Sequence, residues 1–209
     1  MNNQSHMTLN SRLFGLCAGA LALAVTTTSL FAQAVTYTAQ PGSKVKIEGT
    51  SSLHPWDVNG SVIGGTMEVD PKFPEAGTVK PTATTRIPVR TLKSYQKKMD
   101  EVMQEYMEMA KFPNIEYKLT ELKSKGAPKG NVHEFDATGD LTIHGTTKSM
   151  TMPVTIEKLE GNKLKVVGKT PLKTTDYGVK PVDVNLGIGH ITTGADVTLS
   201  FEWMLGKKE

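Results

Sequence analysis

The chain has 209 residues, 24 Lys and Arg against 21 Asp and Glu, and one cysteine, with a net charge of +3. That length suffices for one domain with a real core. Scattered lysines in a nearly neutral chain give a nucleic-acid partner nothing to bind, and leave only a weak, transient contact with an anionic membrane surface open.

The first segment reads as a leader. Arg12 supplies a positive start, Leu13 to Val25 is an apolar run too short to span a membrane, and Ala32-Gln33-Ala34 fits a small-x-small cleavage site. We therefore expect a signal peptide over 1–34 and an exported domain over 35–209, periplasmic or secreted. Cys17 lies inside the leader, and Leu16 spoils a lipoprotein box around it. The mature chain then has no cysteine, which excludes disulfides, thiol catalysis and thiolate metal sites. Loss of the leader removes Arg12 and no acid, so the net positive charge falls by one.

Strand signals fill the rest. Val45 and Ile47 alternate with Lys44, Lys46 and Glu48, and Trp56, Val58, Gly60 and Val62 share one face of a second strand. Gly64-Gly65 marks a bulge. A third strand runs from Val79 to Val89 and is crossed by two prolines. One helix follows. From Tyr95 to Ala110, Met99, Val102, Met103, Tyr106 and Met107 recur at helical spacing opposite a charged face, with Ser94 as cap and Phe112-Pro113 as stop. Ile115, Tyr117 and Leu119 alternate next.

The segment Gly139 to Ile156 then reads as a hairpin. Leu141 and Ile143 on one arm and Met150, Met152, Val154 and Ile156 on the other flank a turn at Gly145 to Lys148. Residues 174–194 are loop-rich. In the closing strand Val197, Leu199, Phe201, Trp203 and Leu205 alternate with polar neighbours. About eight evenly spaced strands with one inserted amphipathic helix predict an all-β antiparallel barrel or sandwich. At eight strands a barrel is either filled by side chains or just wide enough for one small ligand.

Catalytic motifs are missing. Gly49-Thr50-Ser51-Ser52-Leu53 fails as a nucleophile elbow, and Gly168-Lys169-Thr170 lacks the earlier glycine of a phosphate loop, where Lys163 stands. His54, His133, His144 and His190 show no metal-ligand spacing. Met99, Met103 and Met107 form a stripe that suits Cu(I) in an exported protein. Its simpler reading is an adaptable apolar face. His54 and Trp56, either side of Pro55, form either the polar mouth of a cavity or a packed corner. Asp100 is most simply a favourable charge near a helix N-terminus.

The hairpin GDLTIHGTTKSMTMPV, preceded by Gly49 to Trp56, by Ile87 to Ser94, by Met99-Asp100 and by Lys111 to Ile115, and followed by Thr175 to Val179, resembles the YceI-like family of exported polyisoprenoid- and lipid-binding proteins. That resemblance implies a lipocalin-like barrel, an apolar cavity for an isoprenoid chain, a helix packed near it, and no catalysis. Many members carry Arg where this chain has Met99, which points to a neutral head such as a quinone, or to an amide or free lipid. No cofactor is implied beyond a bound isoprenoid or quinone-like lipid. Alternation turns Trp56, Met150, Met152, Phe201 and Trp203 towards such a cavity, with His54 and Asp100 at its mouth. The leading expectation is non-enzymatic transport or sequestration of an amphipathic lipid. The alternatives are copper handling through the methionine stripe, or an envelope-stress or redox-partner role for a packed barrel.

Overall fold

A computed structural model describes residues 33–75, 80–185 and 189–209. The leader, with Cys17, lies outside the described residues except for its last two, as does Val79 at the start of the expected third strand. Among the described residues the chain forms eleven strands and one α-helix. They are β1 (Val35–Ala39), β2 (Lys44–Ser51), β3 (Trp56–Gly60), β4 (Gly64–Val69), β5 (Thr82–Pro88), α1 (Lys97–Tyr106), β6 (Asn114–Ser124), β7 (Val132–Ile143), β8 (Thr146–Leu159), β9 (Lys163–Lys173), β10 (Asp183–Asn185) and β11 (His190–Lys207).

The first four strands make one long, interrupted hairpin. β1 pairs with β4, placing Val35 opposite Val69, and β2 pairs with β3, placing Ile47 opposite Val58. The interruption falls at residues 40–43 on one arm and 61–63 on the other. Here the expected face breaks: Val62 is exposed, and Ile63 takes the buried position. β5 to β9 follow as an antiparallel meander, each pairing with the next. β11 closes the ring. It pairs with β9 along one edge and with both β1 and β2 along the other. The result is an eight-stave closed antiparallel barrel, with β10 as a short addition to β11. Closure matters because it pairs the long staves on both sides and leaves open edges only at the short β3 and β10 among the described residues. At the upper end β3 gains a second neighbour, Asn59 and Lys93 exchanging backbone hydrogen bonds of 2.8 Å.

The β7–β8 hairpin forms as expected, with a tighter turn. His144 and Gly145 alone turn the chain, and Thr146, Thr147 and Lys148 already pair with β7. Both turn residues have positive φ, 51° and 75°. That is the primed two-residue turn, whose twist matches the flanking strands. The helix is shorter than the apolar spacing predicts. Tyr95 (φ 64°) and Glu108 (φ 44°) adopt left-handed conformations on either side and end the regular helix between them. Gln96, not Ser94, occupies the capping position, and no side chain caps it.

The lower end of the barrel is packed solid. Val69, Ile156, Leu164 and Leu205 are fully buried there, and Phe135 stacks on Phe73 with ring centroids 5.9 Å apart. Leu205 stands between Ala39 and Leu164 on the neighbouring staves, at the junction that closes the ring. Leu205→Ala is expected to lower unfolding free energy by about 2–5 kcal/mol in urea titration, the cost of a cavity that rigid strands cannot collapse.

Candidate functional site

Above that plug the barrel is hollow. A cavity of about 340 Å³ lies under α1. A smaller one, of about 90 Å³, lies deeper among the staves. Ile87, Ile115, Leu141 and Leu199 belong to both walls, so the two are adjoining chambers of one lumen. Ile47, Val58, Leu172 and Val197 wall the upper chamber. Met67, Leu119, Met152 and Val166 wall the deep one.

Three aromatic rings are kept low by three glycines. Phe201 lies across Gly168, Trp56 across Gly49, and Tyr117 across Gly139. A Cβ at any of these glycines would overlap the ring above it. The first two are direct cross-strand pairs, and in the third Gly139 lies two residues along β7 from Leu141, the direct partner of Tyr117. Cross-strand packing of a ring on a bare backbone is a known way to order glycine-containing sheets.

The roof is α1. Met99, Met103 and Met107 line the upper chamber, with Val102 and Tyr106. No residue of this helix is fully buried. Its methionines, partly buried, pack against the core below, and polar contacts hold its ends. The Ser94 amide and hydroxyl each donate to Asp100 Oδ1 at 2.7 Å, and Lys93 Nζ lies 3.5 Å from Oδ2. The Tyr106 hydroxyl donates to the Asp183 carbonyl at 3.1 Å and accepts from the Asp183 amide at 3.2 Å. Beyond the helix, Glu108 Oε1 approaches His144 Nε2 at 3.2 Å, off the line needed for a hydrogen bond.

Six of the seven residues picked out by the sequence line the lumen. Met150, Met152, Phe201 and Trp203 face the deep chamber. Trp56 and His54 line the upper one. The Trp56 indole donates to the Thr50 carbonyl at 2.9 Å, and His54 is exposed, its Nδ1 2.6 Å from the Pro55 carbonyl. Asp100 is placed differently. It lines neither chamber and serves as the fastening point of the helix, because two short hydrogen bonds and a lysine claim its carboxylate. The methionine stripe gives the cavity an apolar, adaptable ceiling. Among the described residues no group of three His, Cys, Asp or Glu is gathered to hold a metal ion.

Sequence reasoning did not select Tyr117, nor Val179, Val182 and Val184, which the segment after β9, including β10, contributes to the upper wall. Tyr117 carried the signal of an inward position, through its alternation with Ile115 and Leu119. The loop residues carried none, since their composition reads as turn.

Burial alone would raise the Asp100 pKa, but the Ser94 bonds and the Lys93 ammonium hold it below the ordinary carboxylate range. A depressed folded-state value stabilises the fold fully above the unfolded value, near 3.9, and the contribution is lost as pH falls through the folded one. Asp100→Asn is expected to cost about 1.5 kcal/mol at pH 7. The gap from wild type should narrow below about pH 4, as read by denaturant titration across pH.

A profile of the YceI-like domain matches residues 37–205. A UPF0312 protein of Pseudomonas savastanoi pv. phaseolicola is 26% identical over 168 residues, covering 76% of this chain and 77% of the relative. Two solved structures share the fold. BcnA of Burkholderia cenocepacia aligns with a TM-score of 0.61 at 18% identity, over 78% of this chain and 95% of its own. A polyisoprenoid binding domain from Saccharophagus degradans aligns with a TM-score of 0.64 at 13% identity, over 82% and 98%. A barrel of this topology, matched along almost its whole described length, belongs to the YceI-like family.

Proposed function

We propose that this protein is a non-catalytic carrier that holds one amphipathic lipid, an isoprenoid or a related chain, in the barrel lumen. The observation that carries the reading is the two-chambered apolar cavity beneath a polar-fastened helix. Its larger chamber falls in the range of about 300–1,000 Å³ typical of small-molecule sites. The fold shared with a polyisoprenoid binding domain supports it. Placement in the periplasm or outside the cell rests on the leader-like segment at residues 1–34, and the lipid would be collected from, or delivered to, a membrane surface.

The energetics suit a tail-driven site. Each buried CH₂ contributes about 0.8 kcal/mol. Ten such groups offer about 8 kcal/mol, enough to offset a large part of the ordering and association costs without polar recognition.

Two outcomes follow. Protein purified from its native host and extracted with organic solvent should release one lipid per chain on mass spectrometry; a protein that carries none and takes up none sinks the proposal. Across a series of alkyl tails, affinity should rise by up to about fourfold per CH₂ and then level off when the lumen is full. Gly168→Ala should fold, yet move the Phe201 ring into the lumen and shift that plateau to shorter tails. An unchanged plateau in this variant, read by calorimetric titration, would place the tail elsewhere.

A further inference from the structure

The methionines of the roof are open to chemistry from which the deepest ones are shielded. Met99, Met103 and Met107 follow one another at four-residue spacing, so their thioethers share one face of α1 and its last turn. All three are half-buried, and all three line the upper chamber. That chamber reaches solvent, because Leu53, His54, Gln96, Lys98 and Lys180 line it and are themselves exposed. Met67 and Met152 line the deep chamber and are buried. Met109 and Met204 are half-buried but line neither chamber. Position therefore decides two things separately: whether a small solute reaches a sulfur, and whether cargo would cover it.

A thioether is the softest nucleophile this domain offers, since the one cysteine of the chain, Cys17, lies in the leader segment. Oxidation of a thioether by a peroxide requires neither a metal nor a base. With hydrogen peroxide, the sulfur lone pair forms a bond to one oxygen as the O–O bond breaks. The other oxygen leaves as hydroxide and takes the proton of the new S–OH group, which gives sulfoxide and water. Sulfur loses two electrons and the peroxide gains them. The product exchanges a flexible apolar side chain for a polar one. Turned towards the chamber, the sulfoxide oxygen faces a wall that includes Leu172 and Val197, and its acceptor goes unpaired. Turned towards solvent, it withdraws the ceiling from the cargo, and α1, with no fully buried residue, is free to follow. Either course weakens the hold on an apolar chain.

We propose that Met99, Met103 and Met107 form an oxidation site, at which a peroxide converts the roof thioethers to sulfoxides and lowers the affinity of the lumen for its lipid. This rests on the carrier reading and adds regulation to it. Cargo in the upper chamber covers the three sulfurs, so the empty protein is oxidised first, and reduction of the sulfoxides restores it.

The test treats the purified protein with hydrogen peroxide, removes the peroxide, and maps methionine oxidation by peptide mass spectrometry. Affinity is read with N-phenyl-1-naphthylamine, a neutral apolar fluorophore, and by its displacement with farnesol, an isoprenoid alcohol. Met99, Met103 and Met107 should oxidise at least about tenfold faster than Met67 and Met152, and saturating farnesol should slow the roof three but not Met109 or Met204. Oxidation should weaken farnesol binding about tenfold, and both stereospecific sulfoxide reductases with a dithiol should return it. In Met99→Leu/Met103→Leu/Met107→Leu, which conserves volume, the same treatment should move the variant's own starting affinity by less than about twofold. If that variant does not fold, the oxidation map and the reductase step on the wild type decide. Equal oxidation of roof and deep methionines, roof sulfoxides with unchanged affinity, a loss that the reductases do not return, or an equal loss in the triple variant overturns the site and leaves the carrier standing. If the wild type binds neither fluorophore nor farnesol before oxidation, the carrier reading falls, and the switch with it.

Discussion

Rings lying flat on glycines keep this barrel hollow. An eight-stave barrel is at the size where ordinary side chains fill the interior. Phe201, Trp56 and Tyr117 are among the largest side chains on its walls, and each leans along the wall over a bare backbone on the neighbouring strand. With Ala at Gly168 or Gly49 the same ring would have to stand up into the lumen. The glycines weaken their strands locally, and the rings compensate by covering the gaps, so the wall stays continuous while the centre stays open.

The roof answers a different requirement. If α1 were welded to the barrel by a close-packed apolar face, the upper chamber would vanish. Instead its methionine stripe is only partly buried, touching the core at the cavity's rim and lining the cavity between, and polar contacts at Asp100 and Tyr106 add to its hold. Such contacts are individually modest in net free energy. A segment with no fully buried residue of its own opens more readily than the close-packed staves around it. The entrance is therefore built from the weakest-held element, and the base from the tightest-packed one.

Much of this was legible in the chain. The alternation of Val197 to Leu205 and of Met150 to Ile156 gave both the strands and their inward faces, because a closed barrel with one buried side enforces period 2. What escaped has physical reasons. The split of the opening hairpin depends on β11 serving two partners along one edge, a long-range fact that no local pattern records. The helix ends were set by left-handed residues at Tyr95 and Glu108, types with no special preference for that conformation. Asp100 read as a charge near a helix N-terminus, and its lack of contact with the cavity emerges only from its bonds to Ser94, six residues back. Tyr117 looked like one more apolar position; that its ring lies across Gly139 emerges only from the pairing of β6 with β7.

Hollowness has a thermodynamic consequence that ties fold to function. At about 24 cal/mol per Å³, the cost of residual cavities in protein cores, 340 Å³ corresponds to about 8 kcal/mol relative to a filled interior. That is as large as the whole net stability of many domains. A fold that tolerates it needs other sources of rigidity, and full closure of the strand ring with a solid base is one. The figure also equals what about ten buried CH₂ groups return on entering. The free energy forgone by leaving the centre unfilled is thus of the same order as that available to an apolar chain that occupies it. The barrel is therefore a scaffold completed by its cargo, with the protein's own side chains supplying walls, roof and base but not the core.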